Sequence, residues 1–450
     1  SVVLLLGAQT LFYDPPEAAD GDSEEERERA AERGAQWANV PTGGFLATQA
    51  FARYCAARCE QCDLVVVEGS GHGESWERWE GWPVLRAGPE ALRGWLCGRS
   101  WDVAVACTAR LRFLELVQEL DARQRMTVAH DYVVLPFGPW SDPRMGLPAN
   151  EAPLDEEGMQ RWHAAVASLD AVLCTSQDLR RYVAEHGPRP SAAKLCYCAD
   201  YHYFGDPWEP LAAGLPRFRP WEGCGGDAYV THVSPCAAKG IGVLLAVAEA
   251  MPEVAFLAVR TRWTKENHVA ALRQRPNIRV EPASPRVDGI YARTRVLLVP
   301  SLWPEGFGLV ALEACLRGVP ALATRSGGLP EANPCGLCFE AAAFFNAASG
   351  QLAFPTTAEA EAERIARGSA RPAGFDRGDL EGCMRVVQDS TRVLPPDVAP
   401  VPDFVRALRQ LLEDGQQLRE ASERAHAGAL AFVASRRDCL GRLLAACRNP

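Results

Sequence analysis

Ten short apolar runs, most of them rich in β-branched residues, punctuate this chain of 450 residues, and helix-length stretches separate most of them. The first five are Val2–Leu6, Leu64–Glu68, Val103–Cys107, Thr127–His130 and Ala171–Thr175. The second five are Ala228–Val233, Ala255–Val259, Ile278–Val280, Val296–Pro300 and Ala321–Thr324. Helical stretches such as Phe45–Cys62, Gly240–Ala250 and Leu309–Arg317 lie between them. Strands alternating with helices predict parallel sheets covered on both faces, an α/β architecture. A single core does not extend over this length, which suits two domains of about 200 residues each.

The break between the domains is placed where Pro and Gly interrupt an aperiodic stretch, GDPWEPLAAGLPRFRPWEGCGG, residues 205–226. The expected organisation is a first domain over 1–208, a linker over 209–226 and a second domain over 227–430. Two stretches read as insertions. Residues 14–33 carry nine acids against three arginines, a composition for a solvated loop or helix. Residues 336–400 are irregular and rich in Gly, Pro and Ala, and helices resume at Pro402.

Charge narrows the partners. The net charge of −10 disfavours a nucleic acid, whose phosphates need a basic surface, and equally an anionic membrane. No stretch reaches the roughly 20 apolar residues of a membrane span, and SVVLLLGA at the start reads as a first buried strand. The chain begins at Ser1, which leaves room for a removed targeting segment. Many of the 16 cysteines sit in apolar runs such as AVLCTS and ALEACLRG, as reduced thiols in a cytoplasmic setting do.

The most informative segment is VLLVPSLWPEGFGLVALEACLRGVPALATRSGGLPEA, residues 296–332. A strand ends at Pro300, a loop with Glu305, Gly306, Phe307 and Gly308 follows, and a helix runs from Leu309 towards Gly318. Backbone N–H groups freed by glycines at a helix N-terminus, together with the helix dipole, favour a diphosphate there. Glu305 in the loop and Glu313 in the helix are placed to accept hydrogen bonds from sugar hydroxyls.

With these residues the segment resembles family 4 of the retaining glycosyltransferases of the GT-B fold. That pattern has two glutamates separated by seven residues inside P-S-x-x-E-G-F-G-L-x-x-x-E-A. Pro300, Ser301, Glu305, Gly306, Phe307, Gly308, Leu309, Glu313 and Ala314 match it, with one extra residue before Glu305. Gly318-Val319-Pro320 and Gly327-Gly328-Leu329-Pro330-Glu331 match in type and spacing. The resemblance implies two Rossmann-like domains facing a cleft, with residues 431–450 crossing back to the first domain. It also implies sugar contacts from Glu305, ribose contacts from Glu313, and sugar and diphosphate held by the amides of Gly306 through Leu309.

In the same resemblance, HVSPCAAKGIGVLLAVAEAM supplies Lys239 for the diphosphate, whose charge its ammonium would neutralise. The family's arginine five residues earlier is replaced by Ser234, for which Arg260 or Arg262 is the available substitute. Gly43-Gly44 matches a glycine pair that brings amides to the phosphates and acceptor, and His130 the position of a histidine that reaches the sugar. The implied donor is a UDP- or GDP-sugar, the acceptor a carbohydrate or other hydroxyl compound, and neither a metal nor a resident cofactor is expected. Two alternatives stay open: another GT-B enzyme, such as a phosphorylase or sugar-nucleotide epimerase, and a sugar-nucleotide-binding protein without catalysis.

Several patterns are set aside. Cys55, Cys59 and Cys62 have iron–sulfur spacing but fall on a predicted helix. Asp20-Gly21-Asp22 imitates a metal-binding acid pair but sits in the acidic run. Gly69 to Gly73 lacks the third glycine of a dinucleotide site. The tryptophans at 76, 79, 82, 95 and 101 are expected to pack rather than to stack on a sugar.

Overall fold

A computed structural model describes residues 1–7, 43–132, 135, 154–187, 196–198, 214–222, 228–261, 263–284, 287–334, 336–340, 344–346, 351–353, 393 and 400–436. The acidic run with Asp20 and Asp22, Arg262, residues 437–450 and most of the 336–400 insertion lie outside them.

The first half holds strands β1 (Val2–Gly7), β2 (Cys62–Val67), β3 (Ser75–Trp79), β4 (Trp82–Ala87), β5 (Ser100–Ala106), β6 (Asp121–Ala129), β7 (Ala171–Cys174) and β8 (Cys196–Cys198). They form one sheet in the order β3-β4-β2-β1-β5-β6-β7-β8. All neighbours pair in parallel except the β3–β4 hairpin at the edge. Helices α1 (Gly43–Arg58), α2 (Pro89–Leu96), α3 (Leu111–Glu119), α4 (Glu156–Ala167) and α5 (Gln177–His186) connect the strands. The central strands are apolar on both faces, as a sheet between helical layers requires; Leu4, Leu5 and Leu6 are fully buried.

The second half holds β9 (Tyr229–Val233), β10 (Phe256–Arg260), β11 (Ile278–Pro282), β12 (Thr294–Val299), β13 (Ala321–Thr324) and β14 (Leu337–Phe339). These six are parallel in the order β11-β10-β9-β12-β13-β14, and the antiparallel pair β15 (Phe344–Asn346) and β16 (Gln351–Ala353) stands apart. Its helices are α6 (Ile241–Ala250), α7 (Glu266–Arg273), α8 (Asp288–Tyr291), α9 (Leu309–Leu316), α10 (Leu329–Ala332), α11 (Val401–Glu413) and α12 (Gly415–Ser435). That order is the doubly wound one, in which the sheet changes direction between its first and fourth strands. Here the switch falls between β9 and β12, so the loops after those strands open on one crevice.

Helix α6 is apolar all round and buried from Ile241 to Ala248, which fits a helix enclosed between sheet and α11. Helix α12 closes the C-terminal end of α9: its Ser422 hydroxyl donates to the Gly318 carbonyl, and His426 Nδ1 to the Leu316 carbonyl at 2.9 Å. Carbonyls left over at a helix end are thus satisfied by side chains.

The tryptophans divide. Trp79 and Trp101 are buried, and Trp95 lies between Trp76 and Trp101 with ring centroids 6.3 and 5.9 Å away. Trp76 differs from the packing expectation: it is 53% exposed on the edge strand, where its Nε1 donates to Glu74 at 2.8 Å. Cys55 lies on α1, Cys59 just past its end and Cys62 at the start of β2. Among the described residues nine cysteines are free and no group of three or more His, Cys, Asp or Glu is placed to hold a metal. No helix among them is long and apolar enough to cross a membrane.

Candidate active site

The loop after β9 turns through two left-handed residues, Ser234 with φ 65° and Gly240 with φ 80°. A Cβ on Gly240 would stand 2.0 Å from the Pro300 carbonyl oxygen, so glycine alone lets this loop lie against the end of β12. The Leu302 N–H donates to the Ala238 carbonyl at 2.9 Å and fastens the two loops across the switch point. Ser234 holds its unusual backbone through a 2.7 Å hydrogen bond between its Oγ and Thr261 Oγ1, and through its N–H to the Val259 carbonyl.

Lys239 and Glu305 meet in this crevice. The Lys239 Nζ donates to both carboxylate oxygens of Glu305, at 2.6 and 2.5 Å, and the Ser301 Oγ adds a third donor at 2.5 Å. Glu305 is buried and Lys239 half-buried, and the ammonium also sits 4.7 Å from the centre of the Trp303 ring. Three hydrogen bonds, two of them from a cation, thus take the place of water around the buried carboxylate. The sequence reading gave the two residues separate ligands; the structure pairs them to each other.

The glycine loop that follows is fixed from behind. The Gly328 N–H donates to the Glu305 carbonyl at 2.8 Å, and Gly308 enters α9 at φ 97°. Phe307 is buried and its ring stacks on Phe432 of α12 at 5.9 Å. Leu309 opens α9, whose N-terminus therefore lies at the crevice, as does that of α6 after Gly240.

Glu313 projects from α9 half-buried, and its Oε2 accepts from the Tyr291 hydroxyl at 3.3 Å. Tyr291 is buried, and loss of hydration, with the Glu313 charge beside it, holds its phenol well above the usual range. The Arg317 guanidinium lies 5.1 Å from the Tyr291 ring centre and donates to Asp288 at 2.6 Å and to the Glu313 carbonyl at 3.0 Å.

From the first half, His130 follows β6 and its Nε2 lies 2.8 Å from the Thr48 Oγ1 on α1. Burial pushes its imidazole down to about 4, opposed by a hydrogen bond with the Cys107 backbone, so the ring is neutral at pH 7. Gly43 and Gly44 open that same helix α1. The His130 main chain reaches the donor-side loop: a Cβ on Gly306 would be 2.4 Å from the His130 carbonyl oxygen. The Thr175 hydroxyl lies 3.0 Å from that oxygen and 3.2 Å from the Gly306 carbonyl.

Arg260, offered as a substitute for the missing cation, donates to Glu266 at 2.7 Å; the other, Arg262, lies outside the described residues. Ser301, Trp303, Tyr291, Thr48 and Thr175 had no role in the sequence reading. Ser301 and Trp303 lie within four residues of Glu305, but only the fold reveals what they touch.

Comparison with known proteins bears on this site. Residues 260–367, which include Glu305 and Glu313, match the family described as Glycosyl transferases group 1. A 42-residue stretch is 55% identical to the D-inositol 3-phosphate glycosyltransferase of Corynebacterium jeikeium (strain K411), covering 9% of this chain and 10% of that protein. The match thus spans about a tenth of that relative's length. Among solved structures, Anabaena Alr3699/HepE in complex with UDP and glucose aligns over 99% of both chains at TM-score 0.53 and 13% identity. The fold is GT-B, and a segment in its second half matches the group 1 glycosyl transferase family. The catalytic domain of starch synthase IV from Arabidopsis thaliana, bound to ADP and acarbose, superposes on this GT-B chain equally well, at TM-score 0.53, 11% identity and 99% of each chain. At such identities the solved structures speak for the fold, and the segment at 260–367 for the family resemblance.

Proposed function

We propose that this GT-B protein is a retaining glycosyltransferase of the family 4 type, moving a sugar from a nucleoside-diphosphate sugar to an acceptor hydroxyl. The observation that carries the reading is the Lys239–Glu305 pair at the switch point of the second sheet, whose Glu305 lies inside the segment that matches the group 1 family. An arriving diphosphate competes with Glu305 for the Lys239 ammonium. Once released, the Glu305 carboxylate accepts hydrogen bonds from the sugar, while Glu313, steadied by Tyr291, receives the ribose hydroxyls. The N-termini of α6 and α9 add positive potential at the phosphates.

In the transfer, the acceptor oxygen bonds to the anomeric carbon on the face from which the diphosphate departs. The carbon–oxygen bond to the diphosphate breaks, and the acceptor's proton passes to the departing phosphate oxygen. No enzyme nucleophile is needed. Lys239 and the helix ends carry the charge that a metal supplies in other transferases, so the reading is metal-independent. UDP and ADP bound to the solved relatives support a nucleotide donor, with a UDP- or GDP-sugar expected here. The free thiols support a cytoplasmic setting.

One observation favours a second reading, binding without turnover: Ser234 occupies the place of the family's arginine, and Arg260 is engaged with Glu266. Calorimetry with UDP-, GDP- and ADP-sugars separates the possibilities. Saturable binding of one class, weakened at least tenfold (about 1.4 kcal/mol) in Glu313→Ala, places the donor on α9. Turnover with a retained anomeric configuration completes the case; binding with no turnover over a broad acceptor panel selects the second reading, and binding by none of the donors sinks both.

A further inference from the structure

Glu331, on the short helix α10, joins three parts of the molecule. Its Oε2 accepts from the backbone N–H of Gln177, the first residue of α5 in the other half, at 2.8 Å. Its Oε1 accepts from the Arg436 Nη2, just past the end of α12, also at 2.8 Å. Both charged side chains are only about 15% exposed, at 16% and 15%. Hydrogen bonds of a carboxylate to a helix N-terminus and to a guanidinium are of the charge-assisted kind; the one to Arg436 is part-buried and little screened, while the one to Gln177 lies at the exposed rim.

The contact leads straight to the donor loop. Helix α10 begins after Gly328, whose N–H donates to the Glu305 carbonyl, and Gly327 forms a bridge to Glu305 itself. On the other side, the Arg436 guanidinium lies 5.1 Å from the ring centre of Phe432, and Phe432 stacks on Phe307 of the same loop. A Cβ on Gly328 would lie 2.7 Å from the Phe307 Cα, 2.8 Å from the Gly306 carbonyl oxygen and 2.9 Å from the Cβ of Ser176, which caps α5. The carboxylate that grips the first half is therefore three residues from the backbone that positions Glu305.

We infer that Glu331 is a positioning residue for the transfer proposed above: it holds the two halves together and thereby sets the Glu305 loop against His130. It touches neither donor nor acceptor. Its loss is expected to slow turnover while leaving nucleotide affinity in place, because Glu313, Tyr291 and Lys239 belong to the second half alone. The inference rests on the glycosyltransferase reading only for its kinetic readout.

The test compares full-length wild type with Glu331→Ala and Glu331→Gln, after thermal melting has established that each folds. Small-angle scattering without ligand is expected to give a larger radius of gyration for Glu331→Ala, because the halves separate. UDP or GDP, whichever the wild type binds, is expected to bind Glu331→Ala within twofold of wild type, while kcat falls at least tenfold. Glu331→Gln keeps an oxygen for the Gln177 N–H and is expected to recover at least a third of the wild-type kcat. Unchanged scattering in Glu331→Ala overturns the inference, even if the protein transfers no sugar at all. So does a parallel loss of nucleotide affinity and kcat, which would make Glu331 part of the donor site. If Glu331→Ala does not fold, Gln177→Pro, which removes the donated N–H at the first position of α5 where proline is tolerated, carries the scattering test, with the same expansion expected and its absence equally decisive.

Discussion

The Lys239 ammonium bridges both oxygens of the Glu305 carboxylate, at 2.6 and 2.5 Å, with the Trp303 ring on another side of it. Removing the cation strands a charge that is buried and keeps only the Ser301 donor. Lys239→Met is expected to lower stability by about 2–3 kcal/mol, towards the low end for a buried pair because Lys239 retains some exposure. Glu305→Gln in the same chain is expected to restore most of it. Urea denaturation of the two single variants and the double variant measures the coupling; additivity within about 0.5 kcal/mol would show that the pair does not hold the loops together.

Tyr291 presents its hydroxyl to the ribose-side carboxylate. Tyr291→Phe removes the 3.3 Å bond to Glu313 and keeps the ring under Arg317. Nucleotide affinity is expected to weaken about three- to tenfold, the net worth of one ordinary hydrogen bond, since at 3.3 Å the contact is long for one to a charged group. Calorimetry with the nucleoside diphosphate reads this directly, and unchanged affinity would detach Tyr291 from the donor site.

Backbone geometry at the switch point admits one residue type. Gly240→Ala is expected to cost at least about 3 kcal/mol, since the methyl would lie 2.0 Å from a carbonyl oxygen at a φ of 80°. Gly415→Ala, in open space at the start of α12, is the control and is expected to stay within about 0.5 kcal/mol of the parent. Equal melting temperatures for the two variants would contradict the packing described for the β9 loop.

Acid stability follows from two enclosed histidines. Burial holds both His130 and His232 down to about 4, against 6.5 in an open chain. Between those values the unfolded chain binds the extra protons, so stability is complete above pH 6.5, falls as pH drops towards 4 and levels off below it. Each histidine is expected to withdraw roughly 1 kcal/mol between pH 7.5 and 5.5. Urea midpoints across that range check this; His232→Asn is expected to flatten the slope, and an unchanged slope would mean that His232 titrates normally.

The ten strands read from the sequence all form; most are apolar runs buried on both faces, the simplest of sheet signals, and the edge strand β11 is the exception, with Arg279 and Pro282 exposed. The β3–β4 hairpin escaped that reading. Its strands are SWERW and WPVLRA, with charges facing water, and its turn is Glu80-Gly81, where both residues take positive φ. Such a turn is usually announced by Asn-Gly or Asp-Gly. At the site, Glu305, Gly306, Gly308, Leu309 and Glu313 are adjacent in sequence and stand out together. Tyr291 does not, and Glu331, although it ends a matching Gly-Gly-Leu-Pro-Glu run, gives no sign of what it touches, since their partners are 22 and 154 residues away and only the fold brings them near.

The β3–β4 hairpin also decides what the long first sheet cannot do. A parallel sheet that ended on a bare apolar strand would offer its open row of N–H and C=O groups to any extended chain. Here the last strand is five residues long and carries Glu77 and Arg78, with Arg86 drawn across to Glu77 and Arg78 folded back onto the Gly81 carbonyl. A strand so short and so charged is a poor template for a second copy, which guards this side of the molecule against edge-to-edge aggregation.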